Sequence, residues 1–353
     1  MVDFAPLHAL LGAVSPAALR SGHDLAIVPM PGGASTRQYF RVQLDTGSAV
    51  AMFVPGGATP EEIDKGHANT RWPFLEVRDL LESHGVHVPR VLAEDTEAGW
   101  LLLEDLGDDT LANYLLSHPE EKPALYTRAV QDLAEAQRAL AELPAHSVVR
   151  QRAFDEDLLR WEIEHFREWA VEARGHAFSP EDAALFTDLA DRFAKRVAAL
   201  PQGFVHRDYQ SRNLMVRCPQ GKPPELVWID FQDALLGPRA YDLVALLGDS
   251  YQEFDRSFIE QRHDEYASAH QLSAAERGTL GFEFDLITVQ RKLKDAGRFV
   301  FIERVKNNPS FLPFVTPTIK KVMGALHHLG DDADARAMTA ILQRTLPDEA
   351  IAP

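Results

Sequence analysis

The sequence predicts an α+β protein in two lobes: a small antiparallel β-sheet lobe with one inserted helix over residues 1–105, and a larger, mainly helical lobe over residues 106–353. Three observations carry this expectation. The first hundred residues hold short β-prone runs separated by Gly-rich or Asp-Thr-Gly breaks. From about residue 110 the apolar residues instead recur at i, i+3, i+4 and i+7, the period of amphipathic helices. Between the two patterns stands a short acidic crossing, EDLGDD, at residues 104–109.

The elements follow in order. Leu7, Leu10, Leu11 and Val14 share one helical face, so residues 1–23 read as a helix. AIVPM, YFRVQL and AVAMFV then read as three antiparallel strands joined by tight turns. Residues 59–86 read as one long helix, with Thr59 as N-cap, Pro60 at its first position and Gly85 as its stop. RVLAEDTEAGWLLLEDLG reads as two further strands around a turn. In the second lobe, helical patterns cover residues 110–119, 123–143, 154–173 and 180–200, and resume from about residue 240. FVHRDYQSRNLMV and ELVWIDFQDA interrupt them as short strands flanking loops.

Composition narrows the function classes. With 45% hydrophobic and 25% charged residues the chain can bury a sizeable core. The formal charge of −17 argues against broad nucleic-acid binding, which requires clustered Lys and Arg. No apolar run reaches the roughly 18 residues of a membrane span, and the N-terminal stretch lacks the basic region of a secretory signal. Cys218 is the single cysteine, which excludes an intrachain disulfide and fits a reducing, cytoplasmic setting. No feature asks for an obligate protein partner.

The chemistry concentrates in residues 204–233. His206-Arg207-Asp208 followed by Asn213 spells H-R-D-x-x-x-x-N, and the apolar run Val227-Trp228-Ile229 ends in Asp230. Phosphoryl transfer requires a group that orients a hydroxyl and accepts its proton, and oxygen ligands that hold Mg²⁺ on nucleotide phosphates. Asp208 suits the first task; Asn213 and Asp230 suit the second. Asp and Asn also favour ordinary turns, but the strand-borne carboxylate and the preceding sheet lobe point to the catalytic alternative.

On these motifs the sequence resembles the aminoglycoside phosphotransferase/choline kinase branch of the protein-kinase-like fold, over nearly the whole chain. LLLEDLGDDTL resembles its hinge, VHRDYQSRNLMV its catalytic loop, and VWIDFQDALLGPRAYDLVALLGDSY its metal-binding segment and following helix. GGASTRQYFRV and QRKLKDAGRFVFIERV bring the resemblance closer to bacterial anomeric N-acetylmuramate/N-acetylglucosamine kinases of cell-wall recycling. That resemblance implies ATP and Mg²⁺ as cofactors and transfer to the C1 hydroxyl of a small sugar. It also implies a bracing role for Asp242 and a supporting one for His206. Gly32, Gly33, Ala34 and Ser35 would lie over the phosphates, with Arg37 or Arg41 adding charge. Leu103, Glu104 and Leu106 would line the adenine site. Tyr209, Gln210, Ser211, Arg212, Gln232, Asp233, Gln290, Arg291 and Lys294 are candidates for the sugar side, Asp233 also for a second Mg²⁺.

One departure stands out. The third strand carries Met52 near the place where the wider fold has a phosphate-binding Lys. This fits the sugar-kinase subgroup, and leaves open which cation, if any, replaces the Lys, Arg37 and Arg41 being the candidates; Glu76 reads either as a remnant of the usual Lys partner or as a solvated glutamate on the helix face. An aminoglycoside or other small-alcohol kinase, and a non-catalytic nucleotide-binding pseudokinase, remain as alternatives. Trp161 and Trp169 read as core residues rather than sugar-stacking ones.

Overall fold

The computed structural model describes residues 2–14, 26–31, 37–55 and 71–351. The chain forms two compact units, Met1–Pro119 with Arg212–Asp233, and Glu120–Ser211 with Ala234–Pro353. No helix among the described residues is long and apolar enough to cross a membrane.

The first unit is built on five antiparallel strands: β1 Ile27–Pro29, β2 Gln38–Gln43, β3 Ser48–Phe53, β4 Val91–Asp95 and β5 Trp100–Glu104, in the order β1-β2-β3-β5-β4. The register Phe40↔Ala51↔Leu102 puts one set of apolar side chains on a single face. There Phe40, Val42, Ala49, Ala51, Trp100 and Leu102 bury Leu7 and Leu11 of the helix Ala5–Val14. The opposite parity, Tyr39↔Met52↔Leu101 and Arg41↔Val50↔Leu103, lines the other face. Gly99, at φ +85°, turns β4 into β5; a Cβ there would stand 2.7 Å from the Val54 carbonyl oxygen, so only glycine fits.

A helix stands where the second half of the inserted helix is expected. It spans Pro73–Ser83, with Trp72 as N-cap and Pro73 in the first turn, because proline tolerates a helix start but not its interior. Residues 71 and 72 are not helical, so the expected single helix over 59–86 is not continuous; the expected start, with its cap at Thr59, lies outside the described residues. Its end is as expected: Gly85 adopts φ +82° and the chain turns away after Ser83. A hairpin of β7 Leu214–Arg217 and β8 Glu225–Trp228 completes this unit. Val216 N–H donates to the Asp109 carbonyl (2.8 Å) and Trp228 N–H to the His87 carbonyl (2.8 Å).

The second unit is mainly helical. Its longest helix, Ala274–Lys306, starts from a capping box in which the Ser273 and Glu276 side chains satisfy each other's backbone N–H groups. Helices Glu156–His165 and Val315–His328 pack on it. Glu156–His165 runs on into a wide π turn, Phe166–Val171, where Gly297 lets the two backbones approach. Two short strands, β6 Gln202–Val205 and β9 Leu235–Pro238, pair antiparallel and fix the start of the HRD loop through Val205↔Leu235. The sequence reading contains neither β9 nor the short helix Val148–Gln151.

Candidate active site

In the first unit, the β7–β8 hairpin gathers oxygen donors at its open end. Leu214 pairs with Trp228, and the Asn213 carbonyl accepts from Ile229 N–H at 3.0 Å. Asn213 therefore lies beside the segment that leads into Asp230. Asp230 is exposed and adopts φ +63°, a rare backbone conformation for a residue with a side chain. The Gln232 amide bridges two carboxylates, donating to Asp230 Oδ1 (2.9 Å) and Asp233 Oδ2 (3.0 Å). Asp233 Oδ1 is buried and finds no hydrogen-bond partner among the described residues. An orphaned carboxylate oxygen beside an exposed carboxylate and an Asn is a hard-oxygen donor set that fits Mg²⁺. Arg37 Nη1 stands 3.8 Å from Asp230 Oδ1, so a cation already faces this carboxylate. Arg41 is engaged elsewhere, by Asp105 (2.7 Å) and Asp108 (2.9 Å).

Met52 is buried in β3 and Leu103 in β5, while Glu104 and Leu106 are half-buried. Glu104 also pairs with Arg90 at 3.2 Å. Glu76 is half-buried in the first turn of the inserted helix. Gly32, Gly33, Ala34 and Ser35 lie outside the described residues.

In the second unit, β6 delivers the HRD loop onto the helix Tyr241–Leu247. Asp242 is fully buried and accepts the backbone N–H groups of His206 (2.6 Å) and Arg207 (2.9 Å). Burial pushes its pKa up to about 7, against the lowering effect of these two bonds and of Arg291. Arg207 adopts φ +80°, where a side chain is strained by the order of 1–3 kcal/mol. The surrounding bonds hold that conformation: Asp242 takes its N–H, and Arg291 Nη1 donates to its carbonyl at 2.8 Å. His206 is itself fully buried, its ring edge-on to Tyr209.

Asp208, next along, is half-buried and accepts from Arg291 Nη2 at 3.5 Å. Burial pushes its carboxyl up, but Arg291, Lys294, Arg207 and His206 together outweigh that and hold it below the ordinary aspartate range. Asp208 is thus ionised at neutral pH. Further along, Ser211 Oγ donates to Asp249 at 2.5 Å, fixing the end of the loop.

The chain matches the model of the phosphotransferase enzyme family over residues 26–278. It belongs to that family. The phosphotransferase is 33% identical over 293 residues to the N-acetylmuramate/N-acetylglucosamine kinase of Pseudomonas aeruginosa, covering 81% of this chain and 79% of that one. It is 34% identical over 275 residues to the enzyme of the same name from Neisseria meningitidis, covering 75% of each. Among solved structures, a putative aminoglycoside phosphotransferase from Ralstonia eutropha superposes with a TM-score of 0.58 at 15% identity, covering 92% and 97% of the two chains. A Plasmodium vivax ethanolamine kinase gives 0.55 at 12% identity, covering 91% and 87%. These neighbours share the protein-kinase-like fold with this phosphotransferase, which is an α+β protein as the sequence predicts.

The remaining sequence candidates divide by burial. Arg212 is exposed and Lys294 half-buried beside Asp295 (3.4 Å). Tyr209 is fully buried, its hydroxyl donating to the Ala129 carbonyl at 2.9 Å. Gln290 and Arg291 are fully buried as well; the Gln290 amide donates to Glu162 at 2.8 Å. These three side chains present no surface to a ligand. Trp161 is 48% exposed rather than in the core, its ring 5.3 Å from His165, while Trp169 packs edge-on to Phe301. The sequence reading gives no role to Asp249, whose partner Ser211 is remote in sequence.

Proposed function

We propose that this phosphotransferase transfers the γ-phosphoryl group of ATP to the anomeric hydroxyl of an N-acetylated amino sugar of the muramate/glucosamine class. The products are the sugar 1-phosphate and ADP. The observation that carries the choice of acceptor is the similarity, over three-quarters or more of the chain, to proteins named as kinases of those two sugars.

In this reading Asp208 orients the C1 hydroxyl and accepts its proton as the oxygen attacks phosphorus. A low-pKa carboxylate is a weak base, which suits a loose transition state in which the proton leaves late and positioning supplies most of the rate. Asn213 and Asp230 would hold Mg²⁺, and Asp233 would add a further oxygen ligand. When bound, the metal neutralises charge on the nucleotide phosphates. Arg37 adds a cation on the nucleotide side in place of the missing third-strand Lys. Leu103, Glu104 and Leu106 serve the adenine, and residues 32–35 the phosphates. Arg212 and Lys294 contact the sugar, while the buried Gln232 amide holds the Asp230 and Asp233 carboxylates. An ionised Asp208 on a strained loop held by Asp242 and Arg291 supports catalysis over a pseudokinase, since an idle loop has no reason to keep Arg207 at positive φ.

Phosphorus NMR on the purified protein tests this, with Mg-ATP and a panel of N-acetylmuramate, N-acetylglucosamine, glucose and kanamycin. The expected result is a sugar 1-phosphate doublet that disappears in Asp208→Asn. Phosphate on kanamycin alone, or no transfer to any acceptor, overturns the reading.

A further inference from the structure

We infer that Arg291 is the positioning residue of the catalytic loop, acting on the reaction through Asp208 and never touching the sugar. The inference rests on the reading of Asp208 as the base. The sequence places Arg291 among the sugar contacts. The structure instead buries it completely, with the guanidinium 4.7 Å from the centre of the Tyr241 ring. A buried guanidinium is costly unless its donors and charge are matched. Here the two terminal nitrogens are matched by the loop, with the Arg207 carbonyl at 2.8 Å and Asp208 Oδ1 at 3.5 Å; Nε makes no hydrogen bond among the described residues but has the Asp295 carboxylate at 3.9 Å as a counter-charge.

The geometry of the fork matters. One nitrogen holds the carbonyl that precedes Asp208, and the other holds the Asp208 carboxylate. Asp242 holds the two N–H groups on the other side of Arg207. Arg207 is therefore held at both its N–H and its carbonyl, which keeps a residue at φ +80° from relaxing. Arg291 is carried on the 33-residue helix, a rigid support. It is also the foremost of the charges that favour the Asp208 carboxylate; Lys294 on the same helix and Arg207 and His206 on the loop act in the same sense, while Asp242 opposes it. Lysine cannot replace it fully, because a single ammonium cannot reproduce the planar two-nitrogen fork.

The test compares Arg291→Lys, Arg291→Met and Asp208→Asn with the wild type, using steady-state kinetics for ATP and sugar, pH profiles of kcat, and thermal melts. Arg291→Lys is expected to fold, to lose about tenfold in kcat, and to keep both KM values within about twofold. Arg291→Met is expected to lose about 100-fold, the cost of a base misplaced by about 1 Å. Its acid limb should also move to higher pH as Asp208 loses its main counter-charge. If Arg291→Met does not fold, Arg291→Lys decides. An Arg291→Lys enzyme with wild-type kcat overturns the inference. So does a loss confined to the sugar KM, which would make Arg291 a substrate contact, or a lowered melting temperature with kcat and acid limb unchanged. Wild-type turnover in Asp208→Asn defeats the base reading itself; an inactive Asp208→Asn beside an unaffected Arg291→Lys defeats the inference alone.

Discussion

Replacing Gly297 with alanine sets two physical effects against each other within one helix. Alanine is the better helix former, by about 1 kcal/mol in a helix interior. On that ground alone Gly297→Ala stabilises the protein. The surroundings say otherwise. A Cβ at position 297 would lie 2.4 Å from the His165 carbonyl oxygen, 2.8 Å from its carbon and 3.0 Å from the Phe166 Cα. All three obstacles are backbone, so no side chain can swing aside. The helices Ala274–Lys306 and Glu156–His165 would have to separate by about 1 Å to restore ordinary contact, and overpacking of this kind typically costs about 1–3 kcal/mol. Helix separation also shifts Arg291, less than two turns away, and with it the Arg207 carbonyl and Asp208. The expected outcome is a net loss of about 1–2 kcal/mol in urea denaturation and a fall in kcat approaching 100-fold. Gly278→Ala on the same helix is the control, since nothing lies within 4 Å of its Cβ position; it should gain up to about 1 kcal/mol and keep wild-type turnover. If Gly297→Ala is as stable as Gly278→Ala, the close approach is not what requires glycine here and the reasoning fails.

Three other outcomes follow from the same geometry. Arg37→Met should weaken nucleotide binding about tenfold by titration calorimetry, whereas Arg41→Met, which removes only the pairs with Asp105 and Asp108, should leave it within twofold; the reverse pattern would make Arg41 the replacement for the missing lysine. Asp230→Ala should raise the Mg²⁺ concentration needed for half-maximal nucleotide binding at least tenfold, and a variant with unchanged Mg²⁺ response would remove Asp230 from the metal site. Burial, reinforced by Arg256 and partly offset by Glu260, lowers the His263 imidazole to about 4 from its ordinary 6.5. A depressed histidine is neutral in the folded state, so its contribution is present above pH 6.5 and lost as pH falls towards 4, by about 3 kcal/mol in all. Urea denaturation of wild type and His263→Gln at pH 7 and pH 4.5 checks this: the wild type should lose more stability on acidification than the variant, and equal losses would refute it.

What the sequence reveals follows the range of the interactions involved. The five-strand sheet and its helix were legible because their signals are local: alternation in YFRVQL and AVAMFV, the Asp-Thr-Gly turn, the Gly85 stop. The sequence pattern runs one helix through residues 71 and 72, which are not helical, whereas Pro73 opens the segment Pro73–Ser83. β9 is not evident in the sequence because Leu235–Pro238 contains Gly-Pro, which reads as a turn; it is a strand only because β6 pairs with it on one side and the Arg152–Phe154 backbone bonds to Leu236 on the other. The candidate site divides in the same way. Asp208, Asn213 and Asp230 could be singled out from the spacing of one short segment, since oxygen donors beside strand ends have a chemistry of their own. Arg291 and Asp249 could not be sorted by such means. Both are charged residues in helical or turn sequence, and their standing depends on which loop they face: Asp249 meets Ser211, and Arg291 meets Arg207 and Asp208. A charged side chain on an amphipathic helix ordinarily points to solvent, so sequence reasoning assigns Arg291 to the surface and then to the ligand. The fold reverses that assignment, because burying a guanidinium is tolerable only where a strained loop supplies a carbonyl and a carboxylate at once. The cost of burying Arg291 and the strain at Arg207 are two halves of one arrangement, and neither could be inferred without the other.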